Sequence, residues 1–359
     1  MRPNKEFLSQ DKSFWALVRT ISEEVGYTVH GEDKIKVPTL AEVADALMAL
    51  KLDASFVREH DRPTELGRKL LNYLAYRASA IGDVKRQLLN ATEAEQMFKE
   101  VKRRSSHACH LPMNKQKAEK KTHAYLTCVI TMLLEETLET LAPLKTIPVP
   151  GADTSEARTN WLERKQLDEM LRPKKYVDKL IKDGQIRKER RDRKNVFHPG
   201  DVQRLLPHCD YDPRTLTTAT EGGRPLRTLA RRVDGAFPGP VNPIAIWEIK
   251  EYYYTTTFGS RVADGIYETL LDGAELEDLL QEGHTVRHYL FVDGYRTWWE
   301  DGKSYLCRIV DSIHMKYLDE AIFGREVLDR LPDLAREWAR EKQLRETVGP
   351  PKARIRPQS

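Results

Sequence analysis

Apolar residues recur at helical spacing through most of the first 145 positions. In "TLAEVADALMALKL", Thr39 is placed to cap a helix and Glu42 follows three residues later, the pairing of a capping box. "PTELGRKLLNYLAYRASAI" and "HAYLTCVITMLLEETLETL" repeat the spacing of helices that pack along one stripe. Short helices around "TLAEVADAL" admit a helix-turn-helix DNA reader, although no segment is marked as its recognition helix. The pattern breaks over residues 142–157, "APLKTIPVPGADTSEA", a composition that suits a linker or a long surface loop. From Trp161 to Lys194 the chain reads as helical and highly charged, and "FHPGDVQRLLPHCDYDPRT" as irregular structure with a short helix.

From about Arg224 the periodicity shortens. "LRTLARRVDGAF" leads through a proline-rich turn into the apolar strand "IAIWEIK". "FGSRVADGIYETLLDGAELEDLLQ" has helical character, "VRHYLFVDGYRTWW" supplies a second apolar and aromatic strand, and "YLDEAIFGREVLDRLPDLAREWAREKQL" returns to helix. The expected class is α/β, with a helical region at the amino side. Four segments follow: 1–145, helical; 146–223, charged and connecting; 224–345, the α/β domain; and 346–359, a loose tail.

The 359 residues are 40% hydrophobic and 32% charged, the balance of a folded soluble protein able to bury a substantial core. No apolar run approaches the roughly 20 residues of a membrane span, and the start lacks a signal-peptide apolar core. Four cysteines scattered at 109, 128, 209 and 307 do not resemble a disulfide framework, which points to a reducing cytoplasm. Net charge is only +4, so local clustering says more. "RKERRDRK", from Arg187 to Lys194, and the basic stretch from Lys99 to Lys121 are either solvated faces or a phosphate-contacting surface. The acidic tract that begins at Asp272 is expected to face away from such a surface.

The chemistry concentrates in "AIWEIK". Side chains alternate along a strand, so Ile246, Glu248 and Lys250 share one face and Ala245, Trp247 and Ile249 the other. One face packs; the other ends in a carboxylate and an ammonium. Upstream, "RRVDGAF" sets Asp234 beside Gly235, and a turn between two adjacent strands would bring Asp234 and Glu248 to one ion. Two such carboxylates repel unless protonated or neutralised. Mg²⁺ resolves the conflict, accepting carboxylate oxygens while keeping waters for chemistry. Lys250 would orient or help deprotonate an attacking water, or stabilise charge at a phosphate.

Asp234, Glu248 and Lys250 in this order resemble the PD-(D/E)XK nuclease superfamily, and the chain looks like a type II restriction endonuclease within it. The resemblance covers roughly residues 224 to 300. It implies a restriction-endonuclease-like mixed sheet flanked by helices. It also implies Mg²⁺-dependent hydrolysis of double-stranded DNA, leaving a 5′-phosphate and a 3′-hydroxyl. Asp234 and Glu248 would hold the metal, with Lys250 the motif lysine. Val233 stands where the family's name has proline, and the fourteen-residue step from Asp234 to Glu248 lies within the family's variable spacing.

The family often adds an acid from an upstream helix; Glu135, Glu136 and Glu221 are the candidates. Arg187, Lys188, Arg190, Arg191, Arg231, Arg232, Tyr254 and Arg261 are candidate DNA contacts, although either arginine beside Asp234 could instead pair with a carboxylate. Asp264 and Glu268, four apart on one helix face, lie near the ion, form a solvated face or pair with Arg261. The histidines and cysteines of "HACH" and "HPGDVQRLLPHC" lack the spacing of a zinc site, and no nucleotide-binding glycine loop occurs. The expected function is a sequence-specific endonuclease of a restriction system, acting as a homodimer on a palindromic site. The alternatives are a repair or structure-selective nuclease of the same fold, and a non-cutting DNA-binding protein.

Overall fold

The computed structural model describes residues 1–29, 32–105, 124–141, 162–170, 174–191, 193–198, 201, 207–254 and 260–348. The linker segment 142–157, most of the basic stretch after Arg104 and nearly all of the tail lie outside them.

Helix α1 (Lys12–Val25) starts where the Asp11 side chain accepts from the Phe14 amide, and buries Phe14, Trp15, Val18 and Ile21. Helix α2 (Leu40–Ala49) opens on the expected Thr39/Glu42 capping box. A two-residue hairpin, β1 (Arg58–Glu59) and β2 (Arg62–Pro63), leads to α3 (Glu65–Lys85), capped by Thr64. These elements share one aromatic core. Gly67 is required there: a Cβ would lie 2.0 Å from the Val57 carbonyl oxygen.

Two further helices, α4 (Ala91–Arg104) and α5 (Tyr125–Leu141), follow. Next comes a small unit: β3 (Leu162–Glu163), α6 (Arg164–Met170), α7 (Lys174–Lys182), β4 (Lys188–Arg191) and β5 (Lys194–Phe197). The basic "RKERRDRK" is therefore mainly hairpin, which corrects the helical expectation for this stretch; its glycine turn at Gly184 ends the second helix before the strands begin.

The main sheet contains β6 (Asp210–Tyr211), β9 (Gly235–Phe237), β10 (Ala245–Glu251), β11 (Arg287–Asp293) and β12 (Glu320–Phe323), with β7 (Thr218–Glu221) and β8 (Arg224–Thr228) forming a separate hairpin. The order is β12-β11-β10-β9-β6; β10 is antiparallel to β9 and parallel to β11, which is parallel to β12. The sheet is mixed. The long crossover between β10 and β11 carries α8 (Ser260–Gln281); α9 (Lys303–His314) joins β11 to β12, and α10 (Val327–Val348) closes the domain. Strand β12 lies where sequence periodicity predicted helix, because four wholly buried residues are too few to impose an alternation.

Trp247, Phe291 and Ile322 meet α4, α5 and α10 on one face of the sheet. Leu290, Val292, Ala321 and Phe323 meet α8 and α9 on the other. The helices before residue 145 thus help cover the sheet. The amino-terminal helices are tied to α9 by a buried network in which Asp311 accepts from Tyr73 (2.6 Å) and Arg77 (3.0 Å), while Arg77 also reaches Ser22 (2.9 Å). Among the described residues, no helix is long and apolar enough to cross a membrane.

Candidate active site

Strand β10 separates packing from chemistry as its alternation predicts. Trp247 enters the core and stacks on Trp338, with ring centroids 5.5 Å apart. Ile246 packs on the opposite face beneath α8. Glu248 and Lys250 follow on that face, both buried.

Asp234 arrives from the adjacent strand. The antiparallel register pairs Trp247 with Gly235, so the next step sets Asp234 opposite Glu248. The Asp234 amide donates to the Trp247 carbonyl at 3.1 Å, and the Ile249 amide donates to Asp234 Oδ2 at 2.8 Å. Gly235 permits this approach, since a Cβ there would lie 2.1 Å from the Trp247 indole ring. Asp234 is exposed at the surface, yet the protein around its carboxyl withholds part of its hydration. That desolvation, with Glu248 nearby, pushes its pKa up to about 7.

Four side chains gather around the pair or beside it. Lys250 Nζ donates to Glu248 Oε2 at 3.0 Å and to Glu268 Oε2, from α8, at 2.8 Å. Arg231, just before β9, donates to Glu248 Oε2 (3.1 Å), Glu268 Oε2 (3.2 Å) and Asp272 Oδ2 (2.5 Å). Gly265 lets α8 approach the Lys250 stem: its Cβ would sit 3.1 Å from Cδ and Cε. Burial raises the carboxyl pKa of Glu248, but Lys250 and Arg231 outweigh it and hold the group below its usual range. Lys250 is opposed by burial and held protonated by Glu248, Asp234 and Glu268. Burial pushes Asp272 up to about 7 despite Arg231.

The recess therefore sets four carboxylates against two cations. Glu248 Oε1 and Asp272 Oδ1 are buried without a hydrogen bond; Arg231 Nη1 stands 3.0 Å from the former without hydrogen-bonding geometry. Among the described residues, no group of three or more histidine, cysteine, aspartate or glutamate side chains is arranged to hold a metal. A hard divalent ion would have Asp234 and Glu248, with waters and a substrate phosphate completing its shell. That donor set fits Mg²⁺, which commonly takes only one or two protein carboxylates.

Several expected contributors lie elsewhere. Glu135 is buried, but its oxygens accept from the His208 amide (2.8 Å), the Cys209 amide (3.2 Å) and the Tyr211 hydroxyl (2.8 Å), a clasp between α5 and β6. Glu136 is exposed on the same helix, and Glu221 is exposed at the β7–β8 turn. Arg232 and Tyr254 are exposed. Arg187 is bound to Asp201 through Nε at 2.8 Å. Lys188 and Arg190 lie exposed on the β4–β5 hairpin, whereas the side chains of Arg191 and Arg261 lie outside the described residues. Asp272, the first residue of the acidic tract, is not a solvated surface acid: its side chain is fully buried against Arg231. Its signal was the four-residue spacing from Glu268, which puts both on one helix face. A second missed group is His288, opposite Ile246 on β11, with Nδ1 2.8 Å from the Tyr317 carbonyl oxygen and a buried, unpartnered Nε2. Away from this recess, a cavity of about 800 Å³ lies between Arg287, Asp319, Trp338 and Arg345; it contains none of the three motif residues.

Residues 89–169 and 202–338 match the domain of unknown function DUF7687, and residues 1–84 match the domain of unknown function DUF7690. The first match takes in more than half of the chain, which therefore belongs to the DUF7687 family. No curated protein and no solved structure matches it significantly.

Proposed function

We propose that the chain is a Mg²⁺-dependent endonuclease of the PD-(D/E)XK type that hydrolyses phosphodiester bonds of double-stranded DNA at a defined sequence, within a restriction system. The observation that carries this reading is the register setting Asp234 opposite Glu248, with Lys250 two residues on along the same face. The mixed sheet supports it, as do the buried Glu248 Oε1, which accepts no hydrogen bond although Arg231 lies beside it, and the excess of carboxylates over cations in the recess. Mg²⁺, when bound, would neutralise the acids, hold the scissile phosphate and acidify a water. Asp234 and Glu248 would hold the ion. Lys250, kept as an ammonium, would orient that water and balance charge developing on the phosphate. Arg231 would remain on Asp272 and Glu268 as Glu248 Oε1 exchanged its ion pair with Arg231 for the ion. A palindromic target would call for a twofold dimer, one site for each strand.

A second reading, a DNA-binding protein that does not cut, rests on the pairing of Glu248 with Arg231 and Lys250, which already compensates its charge. Incubation with a long plasmid and Mg²⁺, followed by mapping of the ends, separates the two. Discrete fragments with 5′-phosphates are expected, and alanine at Asp234, Glu248 or Lys250 should abolish them in folded protein. Intact plasmid under all divalent-metal conditions, with salt-sensitive binding retained, would leave the second reading standing.

A further inference from the structure

The small unit spanning residues 162–198 has a topology that neither its composition nor the proposed active site requires. It runs strand, helix, helix, strand, strand, and its antiparallel sheet has the order β3-β5-β4, so the first strand joins the second strand of the hairpin. Leu162 pairs with Phe197, and Phe197 with Lys188. Leu167, Val177, Leu180, Ile186 and Phe197 form its own core, packed by Leu162 and Ile181. Two consecutive helices backed by a three-stranded sheet with a projecting hairpin make the arrangement of a winged helix. Most of the unit also falls in the gap between the two stretches matching the DUF7687 family, as an insertion would.

Charge identifies what such a unit would meet. The second helix, α7, reads "KKYVDKLIK", and the hairpin contributes Lys188, Arg190 and Arg193, all exposed and, among the described residues, without a carboxylate partner. Arg187 and Lys194 are committed differently: Arg187, beside the hairpin's base, is bound to Asp201, and Lys194, next to its turn, to Glu163 of β3 at 2.9 Å, which holds the hairpin to the body of the unit. Val177, Leu180 and Ile181 turn inward while Lys182 stays exposed. The free cations thus run along the hairpin, Lys188 and Arg190 two residues apart on β4 and Arg193 in the turn that follows it. A helix of this kind enters a major groove with the hairpin against the flanking backbone.

We infer that residues 162–198 form a winged-helix module that binds duplex DNA, with Lys188, Arg190 and Arg193 as phosphate contacts of the wing. The inference rests on the reading of DNA as substrate and names the part of the chain that holds it. The test uses the full chain carrying Glu248→Gln, so that DNA is not cut, and fluorescence anisotropy on a labelled duplex of about 30 base pairs over a salt series. Replacing Lys188, Arg190 and Arg193 together by alanine should weaken binding at least tenfold. It should also reduce the slope of log affinity against log salt by about 2–3, near 0.9 for each phosphate no longer neutralised. The charge-preserving set Lys188→Arg, Arg190→Lys and Arg193→Lys should retain binding, and alanine at the exposed Lys12, Lys51 and Lys316 should weaken it less than threefold. Equal weakening by the charge-preserving set, unchanged affinity or salt slope in the alanine set, or preference for single-stranded RNA over duplex DNA would overturn the assignment. Failure of the active-site reading looks different: a Glu248-containing chain that never cuts, yet loses duplex binding with its wing charges, leaves the module standing.

Discussion

Replacing Arg231 by glutamine probes whether the acidic recess is organised around a shortage of positive charge. Asp272 is fully buried, Glu248 nearly so, and Arg231 keeps about a fifth of its side-chain surface. Without the guanidinium, Asp272 loses its hydrogen-bonding partner, whereas Glu248 keeps Lys250. Breaking a buried pair from one side costs about 3–5 kcal/mol; the rim position of Arg231 and the surviving lysine favour the lower end, about 3 kcal/mol at pH 8. At roughly 1–2 °C per kcal/mol for a chain of this length, melting should fall by about 3–6 °C. The dependence on pH has a definite sign. Asp272 is raised to about 7, so its contribution is fully present at low pH and is lost as pH climbs through 7. At pH 5.5 the carboxyl is protonated, and the substitution should cost only about 1 kcal/mol because little uncompensated charge remains. Melting curves in EDTA at both pH values, repeated with Mg²⁺ at pH 8, test this. Mg²⁺ should raise the melting temperature more in the variant than in the parent. Equal destabilisation at pH 5.5 and 8, or a variant as stable as the parent at pH 8, would refute the charge argument. A lack of Mg²⁺ response in both proteins would remove the ion from the site.

Asp234→Asn should abolish Mg²⁺-dependent cleavage while leaving melting at pH 8 unchanged or about 1–3 °C higher, since the amide removes a carboxylate repelled by Glu248 and still accepts from Ile249; a large loss of stability would count against its rim position. Burial pushes Glu251 up to about 8 although Thr127 and Leu126 donate to it. Its stabilising contribution is therefore lost as pH rises through 8, and Glu251→Gln should flatten the pH 6–8 fall in stability by roughly 1–2 kcal/mol in urea titrations. Asp311→Ala, which strands Arg77 and Tyr73, should cost about 3–5 kcal/mol and leave the metal dependence of cleavage intact, measured as the Mg²⁺ concentration giving half-maximal rate.

The sequence made β10 readable because a strand's two-residue period alone sorts its faces: Ala245 and Trp247 against α5 and α10, Ile246, Glu248 and Lys250 towards α8. The Thr39 cap and helix α8 were legible for the same reason, being local signals. What escaped depended on contacts distant in sequence. The four-residue spacing places Asp272 on the face of Glu268, but its meeting with Arg231 spans 41 positions and has no local signal. Glu135 was recognisable as an acid, but its destination was fixed by the His208 and Cys209 amides and by Tyr211. The β4–β5 hairpin lacks alternation, since its outer residues are charged throughout, and only Val196 and Phe197 betray its buried end. The strand β12 gave no alternation because both of its faces are covered.

The two faces of β10 also bind stability to chemistry. Trp247 fixes the strand through its stack on Trp338 and leaves room for only a glycine at 235. The same backbone segment supplies the Trp247 carbonyl and the Ile249 amide that bracket Asp234. A shift of the indole would therefore carry the aspartate with it, and misplacement near 1 Å can cost about a hundredfold in rate. The Asp311 network, by contrast, joins α3 to α9 and touches neither β9 nor β10. Packing behind Trp247 is thus part of the recess's geometry, whereas the inter-helix charges are part of the protein's stability alone. The carboxylates can be held close against their repulsion because the strand that carries Glu248 is anchored on its opposite face, with Lys250 and Arg231 offsetting part of the charge.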